Sequence, residues 1–236
     1  MNKAFITGGG RGIGKGFATY FLNTGFQVFI GVRNPAKVVP ELSKRKNLYV
    51  IKLDVSDDLS INEAFLEVCK HTNHIDYLVK NAGLNKDSAT GNHKELVCNL
   101  KDLSRSHLVK MFDLNAVSPI MVLKSFVPLL KNNPSFVINI SSGRSSYKDE
   151  YPNAIGNYGY RASKAALNLM TWSSLLDLPK NIKTFAVHPG GVKTEMNPTG
   201  DMDPTIQAEK IIDISKKWKE EYNGKFLRFD GSLYPL

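Results

Sequence analysis

Runs of apolar, β-branched or aromatic residues recur along the chain as KAFIT (3–7), FQVFIGV (26–32), LYVIKLDV (48–55), IDYLV (75–79), SFVINIS (135–141), IKTFAVH (182–188) and KFLRF (225–229). Longer, helix-compatible stretches separate most of them. Strands alternating with helices predict a parallel sheet covered on both faces and joined by right-handed crossovers. The expectation is a doubly wound α/β fold with a seven-stranded, mainly parallel sheet. With 236 residues and 42% hydrophobic content the chain can build a sizeable core, and it reads as a single domain over residues 1–236. Ligands of such sheets bind in the crevice at the carboxyl ends of the strands. The residues just after each strand therefore carry the functional reading.

Thr7-Gly8-Gly9-Gly10-Arg11-Gly12-Ile13-Gly14 joins the first strand to a helix in which Ile13, Phe17 and Phe21 recur every four residues, with Gly25 placed as a C-cap. Glycines let backbone N–H groups approach a pyrophosphate, and a helix N-terminus favours its charge. The G-x-G-x-x-G fingerprint fails in every register, whereas T-G-x-x-x-G-x-G fits on Thr7, Gly8, Gly12 and Gly14. Gly8, Gly10, Arg11, Gly12, Ile13 and Gly14 are thus candidate cofactor residues.

The second strand runs into Arg33-Asn34-Pro35, where Asn34 and Pro35 suit the N-cap and first position of a helix. In a dinucleotide fold an acid about 20 residues after the glycine turn binds the ribose 2′-hydroxyl, and an arginine there accommodates a 2′-phosphate. Arg33 stands in that place, no acid occupies 31 to 34, and Arg11 adds a second guanidinium. NADP(H) is expected over NAD(H). The third strand ends in Asp54-Val55; Asp54 can accept from an adenine amino group or cap the next helix, although Ser56 to Asp58 are closer for capping.

A predicted amphipathic helix over 158–170 opens with two tyrosines. Tyr160 and Lys164 share one face, and an ammonium beside a phenol stabilises the phenolate and lowers its pKa. Composition alone supplies about one Tyr/Lys pair at this spacing in a chain of this length, so the surroundings must decide. Tyr158 is followed four residues later by Ala162, which leaves Tyr160 as the tyrosine with a lysine partner.

Four further segments complete a pattern: Lys80-Asn81-Ala82-Gly83, Met111-Phe112-Asp113-Leu114-Asn115, Ile138-Asn139-Ile140-Ser141-Ser142, and Val187-His188-Pro189-Gly190-Gly191-Val192-Lys193-Thr194. With the glycine turn and the Tyr/Lys pair, the chain resembles the short-chain dehydrogenase/reductases from Thr7 to Gly231, which implies a Rossmann-type fold. The resemblance places Asn81, Ala82 and Gly83 along the adenosine side of the cofactor. Lys80 replaces the first asparagine of the family's N-N-A-G, which bears on a sheet hydrogen bond rather than on the chemistry. The family's catalytic asparagine, which holds a water joining the active-site lysine to solvent, maps onto Asn115. Its catalytic serine maps onto Ser142, with Ser141 as the structural alternative. Tyr160 becomes the proton donor, and Lys164 holds the nicotinamide ribose. The backbone of Pro189, Gly190 and Val192 would contact the nicotinamide carboxamide, with Thr194 near the carboxamide or diphosphate. The terminal G-x-F-x-x-x-D-G stretch, Gly224 to Gly231, is similar to carbonyl reductases related to the C-factor and sniffer proteins.

The expected activity is NADPH-dependent reduction of a small aldehyde, ketone or diketone. An NAD-linked alcohol dehydrogenase and a non-catalytic NADP(H)-binding regulator are the alternatives. A formal charge of +9 permits nucleic-acid binding, yet KRK (44–46) and KKWK (216–219) lack interleaved stacking aromatics and read as solvated helix faces. Cys69 and Cys98 form no C-x-x-C pair, and His71 and His74 have no third ligand nearby, so no metal is expected. The first strand begins almost at once and no apolar run approaches the roughly 20 residues of a membrane span, so a cytoplasmic protein is expected. His188 reads as structural. Residues 84–107 read as a surface excursion, 143–157 as pocket wall, and 195–205 as a mobile substrate-side segment before a helix over 205–222. Relatives are often dimers or tetramers, so a homo-oligomer is compatible with the sequence.

Overall fold

The structure, a computed structural model, describes residues 1–85, 100–132, 134–148 and 156–236. Its sheet consists of β1 (Lys3–Thr7), β2 (Gln27–Val32), β3 (Leu48–Lys52), β4 (Tyr77–Lys80), β5 (Ser135–Ile140), β6 (Ile182–His188) and β7 (Phe226–Arg228). Their spatial order is β3-β2-β1-β4-β5-β6-β7, and every neighbouring pair is parallel. This is a Rossmann-type doubly wound sheet. The chain moves outward from β1 to β3 and then crosses to β4 on the other side of β1. The reversal leaves a crevice at the carboxyl ends of β1 and β4.

Strand period two divides the core. Ala4 and Ile6 of β1 face α1 (Gly12–Asn23) and α7 (Pro204–Lys216), packing with Phe17, Phe21 and Ile211. Phe5 points the other way, to α3 (Asp58–Cys69) and α5 (Ser118–Phe126), and its ring lies 4.4 Å from that of Phe126. Apolar residues on both faces explain why the strand runs read as nearly continuous apolar segments.

Three expectations need correction. The helix expected after Asn34 is a 3₁₀ turn, Pro35–Lys37, followed by the single turn α2 (Pro40–Ser43). Pro40 disfavours a helical conformation in the residue before it, and Val39 is accordingly extended. The helix expected over 205–222 is α7, which starts at Pro204 under an Asp203 cap and ends at Lys216. Beyond it Trp218 turns inward, its ring 5.4 Å from Phe136. Finally, the helical stretch Arg105–Leu129, with mean hydropathy 1.2, is long and apolar enough by length and composition to cross a membrane. Within it Val122, Leu123 and Phe126 pack into the core beneath the sheet, which accounts for its apolar character.

At the end of β4, Lys80 is 3% exposed, lying among Thr7, Val55, Ser118 and Val122. Burial pulls its amine down to about 7. The unfolded chain holds that proton more tightly, so between about 7 and the ordinary 10.5 stability rises with pH. Lys80→Met is expected to be more stable than the native protein at pH 7, with the gap shrinking by roughly 3 kcal/mol at pH 10. Urea unfolding at both pH values checks this; a pH-independent gap would contradict it.

Candidate active site

The glycine turn needs its glycines for two reasons. Gly8 and Gly12 have φ of +67° and +53°, the left-handed region that L side chains disfavour. A side chain on Gly14 would run into the Gly8 carbonyl oxygen. The turn is tied to β4 across the crevice: Asn81 Nδ2 donates to the carbonyls of Thr7 (3.0 Å) and Gly8 (3.1 Å). In return, Thr7 Oγ1 accepts from the amides of Asn81 and Ala82, both at 3.0 Å. Gly10 sits over Val32, and Ile13, in the first turn of α1, packs on the core. The α1 N-terminus thus opens onto the crevice with no acidic residue in its first turn.

At one end of this groove Arg33 is exposed just past β2, and its charge reaches Asp54 at the end of β3. Burial would raise the Asp54 carboxyl, but the Ser56 hydroxyl and amide, together with Arg33, hold it below its ordinary value. Asp54 does not cap α3. It accepts from Ser56 Oγ at 2.7 Å, and Asp57 supplies the cap. Asn34 caps its 3₁₀ turn by accepting from the Ala36 amide at 3.1 Å.

On the far side of the glycine turn lies the segment after β6. Gly190 is left-handed at φ +78°, and Val192 bridges to Met202. Thr194 Oγ1 accepts from the Asn197 amide at 3.0 Å, and its methyl side faces Gly12. Arg11 reaches across to Glu195 at 2.7 Å, both side chains being exposed. Motif reading does not single out Glu195, because its partner lies 184 positions away. Gln207 Nε2 donates to the Pro189 carbonyl at 2.6 Å and anchors this segment to α7. His188 lies behind the Ser142–Gly143 turn, its ring centroid 5.2 Å from that of Tyr234, in keeping with a packing role.

The chemistry-bearing side chains converge beyond the ends of β4 and β5. Gly156 and Asn157 are both left-handed, Asn157 being the single non-glycine residue of that kind among the described ones; asparagine tolerates the conformation best. This reversal launches α6 (Tyr158–Ser173) so that Tyr160 faces inward at 8% exposure while Tyr158 is 43% exposed. Ser142 lies two residues past β5, and its hydroxyl acts on the Tyr160 phenol in favour of the ionised form. Ser141 is turned toward α6, 3.4 Å from the Lys164 carbonyl.

The expected lowering of the Tyr160 pKa by Lys164 is not what this arrangement produces. Burial raises the phenol above its ordinary value, opposed by the Ser142 hydrogen bond and the charge of Arg144. Lys164 Nζ lies 6.0 Å from the centre of the Tyr160 ring and donates to the Ile140 carbonyl at 2.7 Å. Burial brings its amine down to about 8.

Asn115 sits in a π-helical turn, Asp113–Val117, between α4 (Arg105–Phe112) and α5. Such insertions concentrate at functional sites. Its side chain clasps Leu84, accepting from the amide and donating to the carbonyl, both at 2.8 Å, and it donates to Ser163 at 3.0 Å. A side chain at Gly83 would come 2.8 Å from Asn115 Oδ1 and 3.5 Å from Lys164 Nζ, so glycine there keeps the two groups open to one another. Residues 86–99 of the expected excursion and 149–155 of the expected pocket wall lie outside the described residues. The His71 ring lies tilted against Tyr49 at 4.4 Å and near the Glu67 carboxylate, while the His74 ring meets Lys3 Nζ at 3.0 Å.

A family model for short chain dehydrogenases matches residues 2–204, and the chain belongs to that family. An uncharacterized oxidoreductase of Schizosaccharomyces pombe is 31% identical over 98% of this chain and 96% of its own. A short chain dehydrogenase of Penicillium aethiopicum is 31% identical over 96% of each. Among solved structures, the carbonyl reductase Sniffer of D. melanogaster superposes with a TM-score of 0.87 at 29% identity, covering 100% of both chains. The NADPH-bound carbonyl reductase from chicken fatty liver gives 0.86 at 26% identity, covering 100% of this chain and 99% of its own. The protein is an oxidoreductase of the short-chain dehydrogenase class.

The Asn81 tie can be tested directly. Asn81→Ala removes two donors and leaves two carbonyls without them, and is expected to lower the free energy of unfolding in urea by on the order of 2 kcal/mol. A change below about 0.5 kcal/mol, the usual scatter of surface substitutions, would show that the tie carries little.

Proposed function

We propose that the protein reduces the carbonyl group of a small aldehyde, ketone or diketone with NADPH. The observation that carries this reading is a buried phenol, Tyr160, set one helical turn before Lys164 and influenced by the Ser142 hydroxyl, in a fold whose glycine turn suits a pyrophosphate. The donor set fits a phosphorylated dinucleotide. Backbone of Gly8, Gly10, Gly12, Ile13 and Gly14 at the α1 N-terminus would hold the pyrophosphate, with Arg33, Asn34 and Arg11 around a 2′-phosphate. Asp54 and Val55 would meet the adenine, and Asn81, Ala82 and Gly83 the adenosine ribose. Tyr160 and Lys164 would hold the nicotinamide ribose, with Pro189, Gly190, Val192 and Thr194 at the carboxamide. The NADPH bound to the chicken liver relative supports this choice. When bound, the nicotinamide supplies the hydride.

The chain's residues handle the oxygen. Ser142 and Tyr160 hydrogen-bond the substrate carbonyl oxygen, where negative charge develops as the carbon–oxygen π bond opens. Tyr160 gives up its phenolic proton to that oxygen, so the carbon gains hydrogen, the oxygen gains a proton, and an alcohol leaves. Burial keeps the Tyr160 phenol in its protonated form, and the Ser142 hydroxyl and the Arg144 charge, which favour the phenolate, ease the loss of that proton. Lys164 and Asn115 would restore the proton to Tyr160 through water.

Tyr160→Phe is expected to reduce kcat for carbonyl reduction by at least 10²-fold, while NADPH affinity measured by fluorescence changes far less. Near-native turnover would overturn the assignment. Arg33→Ala is expected to raise the KM for NADPH by about tenfold and that for NADH much less. Equal effects on both would favour an enzyme indifferent to the 2′-phosphate.

A further inference from the structure

Down the buried face of α6 three polar side chains follow one another at four-residue intervals: Tyr160, Lys164 and Asn168. The first two belong to the proton-transfer set, and the third has no place in it. A buried amide costs stability unless it is hydrogen-bonded, so its partner shows what it holds. Asn168 Nδ2 donates to Ser145 Oγ at 2.9 Å, and Ser145 Oγ in turn donates to the Ser142 carbonyl at 2.6 Å. Because the Ser145 proton is committed to that carbonyl, the Asn168 group facing Ser145 has to be the NH₂, which fixes the orientation of the amide. The Ser142 carbonyl also accepts from the Ser145 amide at 3.0 Å, and Ser142 Oγ accepts from the Arg144 amide at 3.3 Å. Accepting there leaves the Ser142 hydroxyl proton to be donated away from the turn. The β5 ladder ends at Ser141, whose amide donates to the Val187 carbonyl at 2.9 Å, so Ser142 is already beyond the hold of the sheet. Its place is set by the 3₁₀ turn Gly143–Ser145, and that turn is fastened by Asn168 to the helix that carries Tyr160. Two other links from this stretch to α6, Ser141 Oγ to the Lys164 carbonyl and Arg161 to the Ser146 carbonyl, are longer, both 3.4 Å.

We propose that Asn168 and Ser145 are positioning residues for carbonyl reduction, setting the Ser142 hydroxyl against the Tyr160 phenol so that both meet the substrate carbonyl oxygen at once. This rests on the carbonyl-reductase reading, with Ser142 as a hydrogen-bond donor, and adds to that site two residues that act only through Ser142. Misplacing a reacting group by about 1 Å can cost on the order of 10²-fold in rate. Loss of the tie is therefore read in kcat rather than in cofactor binding.

The test measures NADPH-dependent turnover of the fastest-reduced member of an aldehyde panel that includes 4-nitrobenzaldehyde. It uses Asn168→Ala, Asn168→Leu and Ser145→Ala, each alone and each combined with Ser142→Ala. Asn168→Leu removes the donor and keeps the γ-branched shape, should alanine leave the helix poorly packed. Each variant alone is expected to lose about tenfold in kcat, with the KM for NADPH changed by less than about twofold. Asn168→Ala combined with Ser145→Ala is expected to match Ser145→Ala alone, because the two side chains act in series. In the Ser142→Ala background the same changes are expected to cost less than about twofold, because the hydroxyl they position is gone. Undiminished kcat in the variants overturns the proposal. So does an equal loss with and without Ser142, the mark of a general effect on α6. A second readout needs no turnover: hydrogen exchange of the Ser145 amide is expected to quicken about tenfold in Asn168→Leu, and an unchanged rate overturns the tie. A panel left wholly unreduced, or a Ser142→Ala protein with native turnover, defeats the carbonyl-reductase reading and the proposal with it. Turnover lost in Ser142→Ala but kept in the Asn168 and Ser145 variants defeats the proposal alone.

Discussion

Two side chains, Thr7 and Asn81, cross the seam where the strand order reverses, and the candidate site depends on that tie. Each serves the other strand: Asn81 donates to the carbonyls of Thr7 and Gly8, and Thr7 accepts from the amides of Asn81 and Ala82. Backbone groups at the ends of parallel strands have no ladder partner, and leaving them unpaired in a buried crevice is costly. Satisfying them with one threonine and one asparagine holds the glycine turn at a set height against the end of β4. The Gly8 amide is in turn held by the Gly31 carbonyl at 2.8 Å, so the turn is fixed from both neighbouring strands.

The same seam controls the catalytic side. The chain leaving Asn81 passes through Gly83 to Leu84, where Asn115 grips the backbone from a π-helical turn and also reaches Ser163 on α6. One side chain therefore ties the loop after β4, the long helix and the helix bearing Tyr160 and Lys164. Ser142 arrives from β5, the strand beside β4. Tyr160 is thus positioned by neighbours, while its ionisation is set by burial against the opposing influence of Ser142 and Arg144.

Much of this is legible in the chain itself, because parallel strands buried on both faces must be apolar throughout. KAFIT and IKTFAVH coincide with β1 and β6 to the residue, and the other runs differ only at their ends. The glycine turn is legible since few residues accept its left-handed positions. Tyr160 is separable from Tyr158 because helical spacing gives only one of them a lysine, and the structure buries that one. What is not legible depends on distant segments meeting. The direction of the Tyr160 shift follows from burial, which no local pattern reports. The Arg11–Glu195 pair joins parts of the chain 184 positions apart. Lys80 reads as a change of one motif letter, yet in three dimensions it is an amine enclosed beneath the crevice with its proton affinity lowered.

The central claim is that the crevice between the glycine turn and Tyr160 brings a nicotinamide and a carbonyl carbon together for direct hydride transfer. Incubation with NADPH carrying deuterium at both C4 positions and a reducible aldehyde, followed by mass and NMR analysis of the alcohol, tests it most directly. One deuterium bound to the former carbonyl carbon, and none elsewhere, is the predicted result. An alcohol without deuterium at that carbon, or bound NADPH that leaves every aldehyde in the panel unreduced, would contradict it.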